Sequence, residues 1–143
     1  MTTRTFVTFD ADFPKDGQWD REGNPIVPGG RTIACTIAAA IQSAGGLVTN
    51  PVQHSFYGWS FEVSLGGLKA WCLLQFPGPW LLLLEQKRNR LAKLLRASPP
   101  VESCGVLQVL HRVLKADARF SGVQWFTRQE YQSGCNKGAG GPL

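Results

Sequence analysis

Glu62 and Glu85 are the two carboxylates of this chain whose placement could serve chemistry together. Tyr57, Trp59, Phe61, Val63 and Leu65 alternate with Gly58, Ser60, Glu62 and Ser64 and run into Gly66-Gly67. That is the pattern of a half-buried strand feeding a tight hairpin. A two-residue turn pairs Leu65 with Leu68 and so sets Glu62 opposite Trp71; a three-residue turn at Pro77-Gly78-Pro79 then sets Trp71 opposite Glu85. The two glutamates would stand two strand spacings apart, about 9 to 10 Å, on either side of an aromatic platform. Carboxylate pairs that flank a sugar ring hydrolyse glycosides. Small antiparallel sheets also carry Glu at plain solvated positions, and nothing in the 143 residues marks a cleft for a sugar.

Other chemistry-bearing residues are less well grouped. His111 and Cys104 share a helical stretch but are seven residues apart, about 10.5 Å along a helix axis, too far for a nucleophile and its base. His54 sits in a loop beside Ser55 with no motif around it. Gly30-Arg31-Thr32 resembles the end of a phosphate-binding loop, yet Pro25 stands where the earlier glycine belongs and Arg31 where the lysine belongs. The amides of that helix start would still favour an anion. Asp10, Asp12 and Asp16-Gly17 do not make a calcium loop, because Phe13 and Pro14 interrupt the ligand positions. Cys35, Cys72, Cys104 and Cys135 contain no Cys-x-x-Cys pair. They read as reduced thiols, three of them small apolar residues in core elements and Cys135 in the tail. No cofactor or metal is expected.

Charge is unevenly spread over a chain of net +5. The first 30 residues hold five acids against three bases, leaving twelve bases against five acids for the rest. Lys87, Arg88, Arg90, Lys93 and Arg96 concentrate it in one segment, which would suit phosphates or an acidic protein. The aromatic strand around Trp59 and Phe61 has the wrong side-chain parity for an RNA-recognition module, since Val63 and Leu65 continue the aromatic face.

The elements that position these residues follow from periodicity and punctuation. Thr5 to Phe9 reads as a strand, and Asp10 to Gly30 as a loop with a hairpin near Glu22-Gly23-Asn24. Gly29-Gly30 opens a helix to Ser43 with Ile33, Ile37 and Ile41 at i, i+4 spacing; Gly45-Gly46 ends it. Residues 47 to 52 suggest an irregular strand, and the meander from Tyr57 to Gln86 follows. Its second turn sets Phe76 opposite Trp80, Leu74 opposite Leu82 and Cys72 opposite Leu84, all on the core face. Lys87 to Ala97 reads as a basic amphipathic helix. Ser98-Pro99 starts another, with Val106, Leu107, Leu110, Val113 and Leu114 as its apolar stripe, ending near Asp117 or Arg119. Gly122 to Phe126 is a last strand. The expected fold is α+β: a mainly antiparallel sheet of about five strands with two main helices on one face, in a single domain over residues 1 to 131. The Gly-rich residues 132 to 143 are expected as a disordered tail.

The same register puts Trp71, Leu73, Leu81 and Leu83 on the face away from the helices. A large apolar patch there requires a cover: the basic helix, the long loop with Trp19, Ile26 and Val27, or a partner. The N-terminus lacks the charged and apolar segments of a signal peptide, and the longest apolar run is Trp80 to Leu84. A cytoplasmic location is expected.

The succession GGRTIACTIAAAI, HSFYGWSFEVSLGG, WLLLLE and ADARFSGVQWF, over about residues 30 to 127, resembles small bacterial α+β proteins, some of them similar to the immunity proteins of toxin systems. The resemblance implies a fold and a protein-binding role and carries over no catalytic residue. The expected function is thus a non-enzymatic protein-binding module, its partner another protein or a second copy of itself. Trp71, Leu73, Leu81, Leu83, Lys87, Arg88 and Arg90 are the candidate contacts. The alternatives are a nucleic-acid accessory protein using the basic segment and a small hydrolase using Glu62 and Glu85.

Overall fold

The Gly66-Gly67 turn sets the register of the sheet. Both glycines have positive φ, 60° and 82°, and left-handed geometry at both turn positions matches the twist of the strands it joins. The computed structural model describes residues 3–55, 57–76, 78–87 and 102–143. In chain order its elements are β1 (Phe6–Ala11), β2 (Gln18–Trp19), β3 (Pro25–Val27), α1 (Arg31–Ser43), β4 (Leu47–Val48), β5 (Val52–His54), β6 (Gly58–Leu65), β7 (Leu68–Gln75), β8 (Trp80–Lys87), α2 (Glu102–Ala116), β9 (Phe120–Phe126) and α3 (Arg128–Gln132).

The fold is α+β, and its main sheet is antiparallel throughout, in the order β4-β6-β7-β8-β1-β9, with β5 also paired to β6. Among the described residues that makes seven strands rather than about five. The two extra pieces are β4 and β5, which share one edge of β6 and are too short to show a period. Between them Thr49 completes the ladder: its amide donates to the Glu62 carbonyl at 3.0 Å and its Oγ1 accepts the Glu62 amide at 2.8 Å. β2 and β3 form the separate hairpin anticipated near Gly23, held by Asp20 Oδ1, which accepts the amides of Glu22 and Asn24.

The meander pairs as turn length dictates, with Phe61 opposite Cys72, Glu62 opposite Trp71, and Trp71 opposite Glu85. One face of the sheet, with Val7, Phe9, Trp59, Phe61, Val63, Cys72, Leu74, Leu82 and Trp125, packs against Ile33, Ile37 and Ile41 of α1 and Val106, Leu107, Leu110 and Leu114 of α2. Burial of this kind contributes about 25 cal/mol per Å² of apolar surface, upwards of 1.5 kcal/mol for each large side chain.

Several expectations change at the ends of elements. Lys87 does not start a helix; it ends β8, paired with Lys69, because the ladder continues to the start of β7. The rest of the proposed basic helix, including Arg88 and Arg90, and the Ser98-Pro99 helix start lie outside the described residues. β9 begins at Phe120, two residues early, with a bulge against β1 at Gly122, whose φ is 61°. Cys35 is exposed on α1 rather than a core residue, whereas Cys72 is buried.

The C-terminal residues, expected as a disordered tail, fold back onto the sheet. Trp125 and Ala139 exchange both backbone hydrogen bonds, at 2.9 and 2.8 Å, the Gly138 amide donates to Gln124 Oε1, and the Arg4 amide donates to the Pro142 carbonyl. Glycine is required for this approach: a Cβ on Gly138 would lie 2.8 Å from both Gln124 Cβ and the Trp125 carbonyl. Gly138, one of the glycines that read as disorder, is there for close packing. α3 lies ahead of this segment and sets Tyr131 on Phe6 and Phe126, with ring centroids 5.4 and 6.0 Å apart. These contacts cover the β1 and β9 end of the face opposite α1 and α2.

Candidate functional site

The start of α1 is built from two ends of the long loop. Gly30, its N-cap residue, has φ 102° and no side chain to cap with. Asp16 supplies the cap from fourteen residues away: Oδ1 accepts the Gly30 amide and Oδ2 the Thr32 amide, both at 2.8 Å. Partial burial pushes the Asp16 carboxyl up, the amides of Thr32 and Gly30 pull it down, and the net position is below the ordinary 3.8. The anion expected at this helix start is therefore the chain's own carboxylate, and the amides that would have held a phosphate are occupied.

That closure creates a cleft. The loop is fastened further by Trp59, whose Nε1 donates to the Pro28 carbonyl at 3.0 Å, and by Gln53, whose Nε2 donates to the Ile26 carbonyl at 3.1 Å. Phe13 packs on Phe120 and lies under the Arg119 guanidinium, 4.4 Å from its ring centre. Between loop and sheet end lies a cavity of about 590 Å³ whose aromatic walls include Phe13, Trp19, Tyr57, Phe76 and Trp80. Glycines seat two of these rings. The Trp80 ring lies where a Cβ on Gly30 would be, 2.7 Å away, and the Trp19 ring lies against Gly17. Phe76 stands on Trp80 at 4.6 Å between centroids.

Three of the five rings stay open to solvent: Phe76 is 61% exposed, Trp19 59% and Tyr57 46%. This corrects two expectations. Phe76 lies just beyond the end of β7, exposed and stacked on Trp80 rather than buried in the core. Trp19 and Ile26 do not cover the face opposite the helices; both are exposed, and Trp19 walls the cleft.

The candidate contacts on that opposite face divide. Leu73 and Leu81 are only 6% and 1% exposed within the single chain, so they are interior residues and not a free surface. Trp71 and Leu83 are half-buried. His54 packs edge-on to Trp71 at 5.4 Å and to Tyr57 at 5.5 Å, which closes part of the patch from the β5 side. Lys87 is the last residue of β8, and Arg88 and Arg90 fall outside the described residues. Glu62 and Glu85 do flank Trp71 in register, Glu62 half-buried and Glu85 exposed, and neither lines the aromatic cleft.

His111 has a packing task. Its Nδ1 accepts the Trp125 indole N–H at 3.0 Å, and burial, aided by Lys115, holds its pKa below the ordinary value. Among the described residues no three His, Cys, Asp or Glu side chains gather as metal ligands. A wider but shallow groove of about 800 Å³ runs between the ends of α1 and α2, lined by Ala40, Ser43, Val113 and Ala116 with Arg112 and Asp117, and by no aromatic ring among the described residues. It offers little for selective binding, so the aromatic cleft is the better-built site.

Sequence reasoning missed this site because its walls come from separate segments. The signals available were local: glycines at 17, 29 and 30, prolines at 14, 25 and 28, and one tryptophan, Trp19, not needed by either periodic face. Comparison with family models, with curated proteins and with solved structures found no match to this chain. Among the described residues, no helix is long and apolar enough to cross a membrane.

Proposed function

We propose that this chain is a non-enzymatic protein-binding module, immunity-like in kind, that holds its partner in the aromatic cleft rather than on the Leu73 and Leu81 face. The observation that carries the reading is the exposure of Trp19, Tyr57 and Phe76 around one fastened cavity. Solvent-facing aromatic rings on a preformed concave surface are what interface hot spots are made of, and a loop tied at three points loses little further freedom on binding. A binding role also suits the titratable side chains of the cleft, Lys15, Asp16 and Tyr57. Asp16 is committed to the helix cap.

A displayed peptide library, selected on the protein and counter-selected on a Trp19→Ala/Phe76→Ala variant, tests this. Both side chains are exposed, so the variant should keep its Tm to within about 2 °C. Peptides enriched on the parent protein and lost on the variant are expected. Enrichment that the variant retains would move the binding surface elsewhere. No enrichment, together with tight salt-dependent binding of mixed-sequence DNA or RNA that Arg88→Glu/Arg90→Glu abolishes, would favour the nucleic-acid alternative.

A further inference from the structure

Resting on the reading of the cleft as a protein-binding surface, we infer that it takes an aromatic side chain of the partner with an acidic residue next to it in the partner's sequence. The rings define the anchor. Phe13, Trp19, Phe76 and Trp80 wall one cavity of about 590 Å³, with Phe76 standing on Trp80 at 4.6 Å, and Trp19 and Phe76 are each more than half exposed. An aromatic ring entering there meets both ring faces and ring edges, the surfaces that offset-stacked and edge-to-face pairs use. The volume lies in the range of pockets for single compact groups, so the cleft holds an anchor and not a long segment.

Aromatic walls alone do not choose between an acid and a base beside that anchor, since ring faces also attract cations. The charges at the cleft decide it. Among the described residues that line it, Lys15 and Asp16 are the charged ones. Asp16 is engaged internally: its two oxygens take the amides of Gly30 and Thr32 at the positive end of α1. At the Phe13 end, the Arg119 guanidinium over the ring is matched by Asp117, whose Oδ2 lies 2.7 Å from its Nη2. Lys15 is exposed and makes no ion pair with a described residue. The unbalanced charge at the cleft is thus one ammonium, which attracts Asp or Glu beside the docked ring and repels Lys or Arg.

A single-stranded nucleic acid also joins rings to negative charge, but it brings a phosphate with every base and is held along a basic groove. The cleft lining offers Lys15 alone, which suits one carboxylate.

The test selects a displayed library of random peptides in parallel on the parent protein and on Lys15→Glu. Because Lys15 is exposed, the variant should keep its Tm to within about 2 °C. The parent should enrich peptides with Phe, Trp or Tyr beside Asp or Glu, and Lys15→Glu the same anchors with Lys or Arg in place of the acid. The leading parent peptide, synthesised and titrated into ¹⁵N-labelled protein, should move the indole N–H signals of Trp19 and Trp80. Those of Trp59 and Trp125, bonded to the Pro28 carbonyl and to His111, should hold. Alanine in place of the peptide's aromatic residue should weaken binding at least about tenfold. The amide in place of its acid should weaken it about threefold, by a margin that shrinks as salt rises. Aromatic peptides whose flanks are the same on parent and Lys15→Glu would overturn the inference and leave the protein-binding reading standing. So would peptides anchored by proline or aliphatic residues that move the Trp19 and Trp80 signals. Both fail if no peptide is enriched, if enrichment survives Trp19→Ala/Phe76→Ala, or if oligodeoxythymidylate moves the two indoles and no peptide does.

Discussion

Asp16 caps a helix to which it does not belong, accepting the amide of Gly30 at 2.8 Å across fourteen residues of loop. The arrangement follows from a conflict at residue 30. The position needs a positive φ and must leave room for the Trp80 ring, so it must be glycine. A glycine N-cap has no acceptor to offer. The acceptor comes from the preceding loop, and the helix start and the cleft wall become one unit.

Asp16→Ala should therefore destabilise the protein by about 1 kcal/mol at neutral pH, the usual worth of a lost N-cap. Because the folded Asp16 carboxyl lies below its ordinary 3.8, its contribution is full above that value and fades as pH falls through the folded pKa. Denaturant unfolding of parent and variant should show a gap near neutral pH that narrows as the pH falls below the ordinary carboxylate value. A gap constant across the acid range would mean that packing, not the charged cap, carries the effect.

Two neighbouring glycines should respond unequally to alanine. At Gly30 the new Cβ meets the Trp80 ring at 2.7 Å with φ at 102°, and strain of this kind costs on the order of 1–3 kcal/mol. At Gly29 the nearest atom is Asp16 Oδ1 at 3.7 Å, so the change should stay within about 0.5 kcal/mol. Thermal unfolding of the two single variants decides it, and similar losses at both would contradict the seating of Trp80.

The hairpin register was legible in the sequence because turn length and side-chain parity must agree: Leu65 opposite Leu68 admits only Glu62 opposite Trp71 and Phe61 opposite Cys72. α1 was legible for the same reason, with Ile33, Ile37 and Ile41 repeating on one face. Asp16, Trp19 and Phe76 were not. Their roles depend on partners 14 to 61 residues away in sequence, as in Asp16 to Gly30 and Trp19 to Trp80 about one cavity, and such meetings leave no period to read. Residues 132 to 143 misled for a different reason: Gly138 is small because Trp125 is close, and composition alone does not separate close packing from disorder.

Thr127 and Glu130 form a reciprocal cap on α3, with Glu130 N donating to Thr127 Oγ1 at 3.0 Å and Thr127 N to Glu130 Oε1 at 2.8 Å. Thr127→Ala should cost about 1 kcal/mol and loosen Tyr131 from Phe6 and Phe126. Faster amide exchange across residues 128 to 132, with α1 unchanged, is the expected signature.

The thiols should separate by reactivity. Burial pushes the Cys72 thiol up to about 12, so it should react only on unfolding, whereas Cys35 and Cys135 are exposed. In a Cys104→Ser background, a thiol reagent should count two groups in the native protein and three in denaturant. Rapid reaction of a third group without denaturant would contradict the packing of β7 under the helices.

Thr49 and Ala139 stand at opposite margins of the main sheet, one bonded to Glu62 of β6 and the other to Trp125 of β9. Each occupies backbone groups that another chain would need in order to add a strand, and the pieces outside β6 are only two and three residues long. Such broken margins resist the edge-to-edge association by which β proteins aggregate. Concentrated solutions should stay clear and non-fibrillar, because strand addition at either margin would first have to displace Thr49 or Ala139.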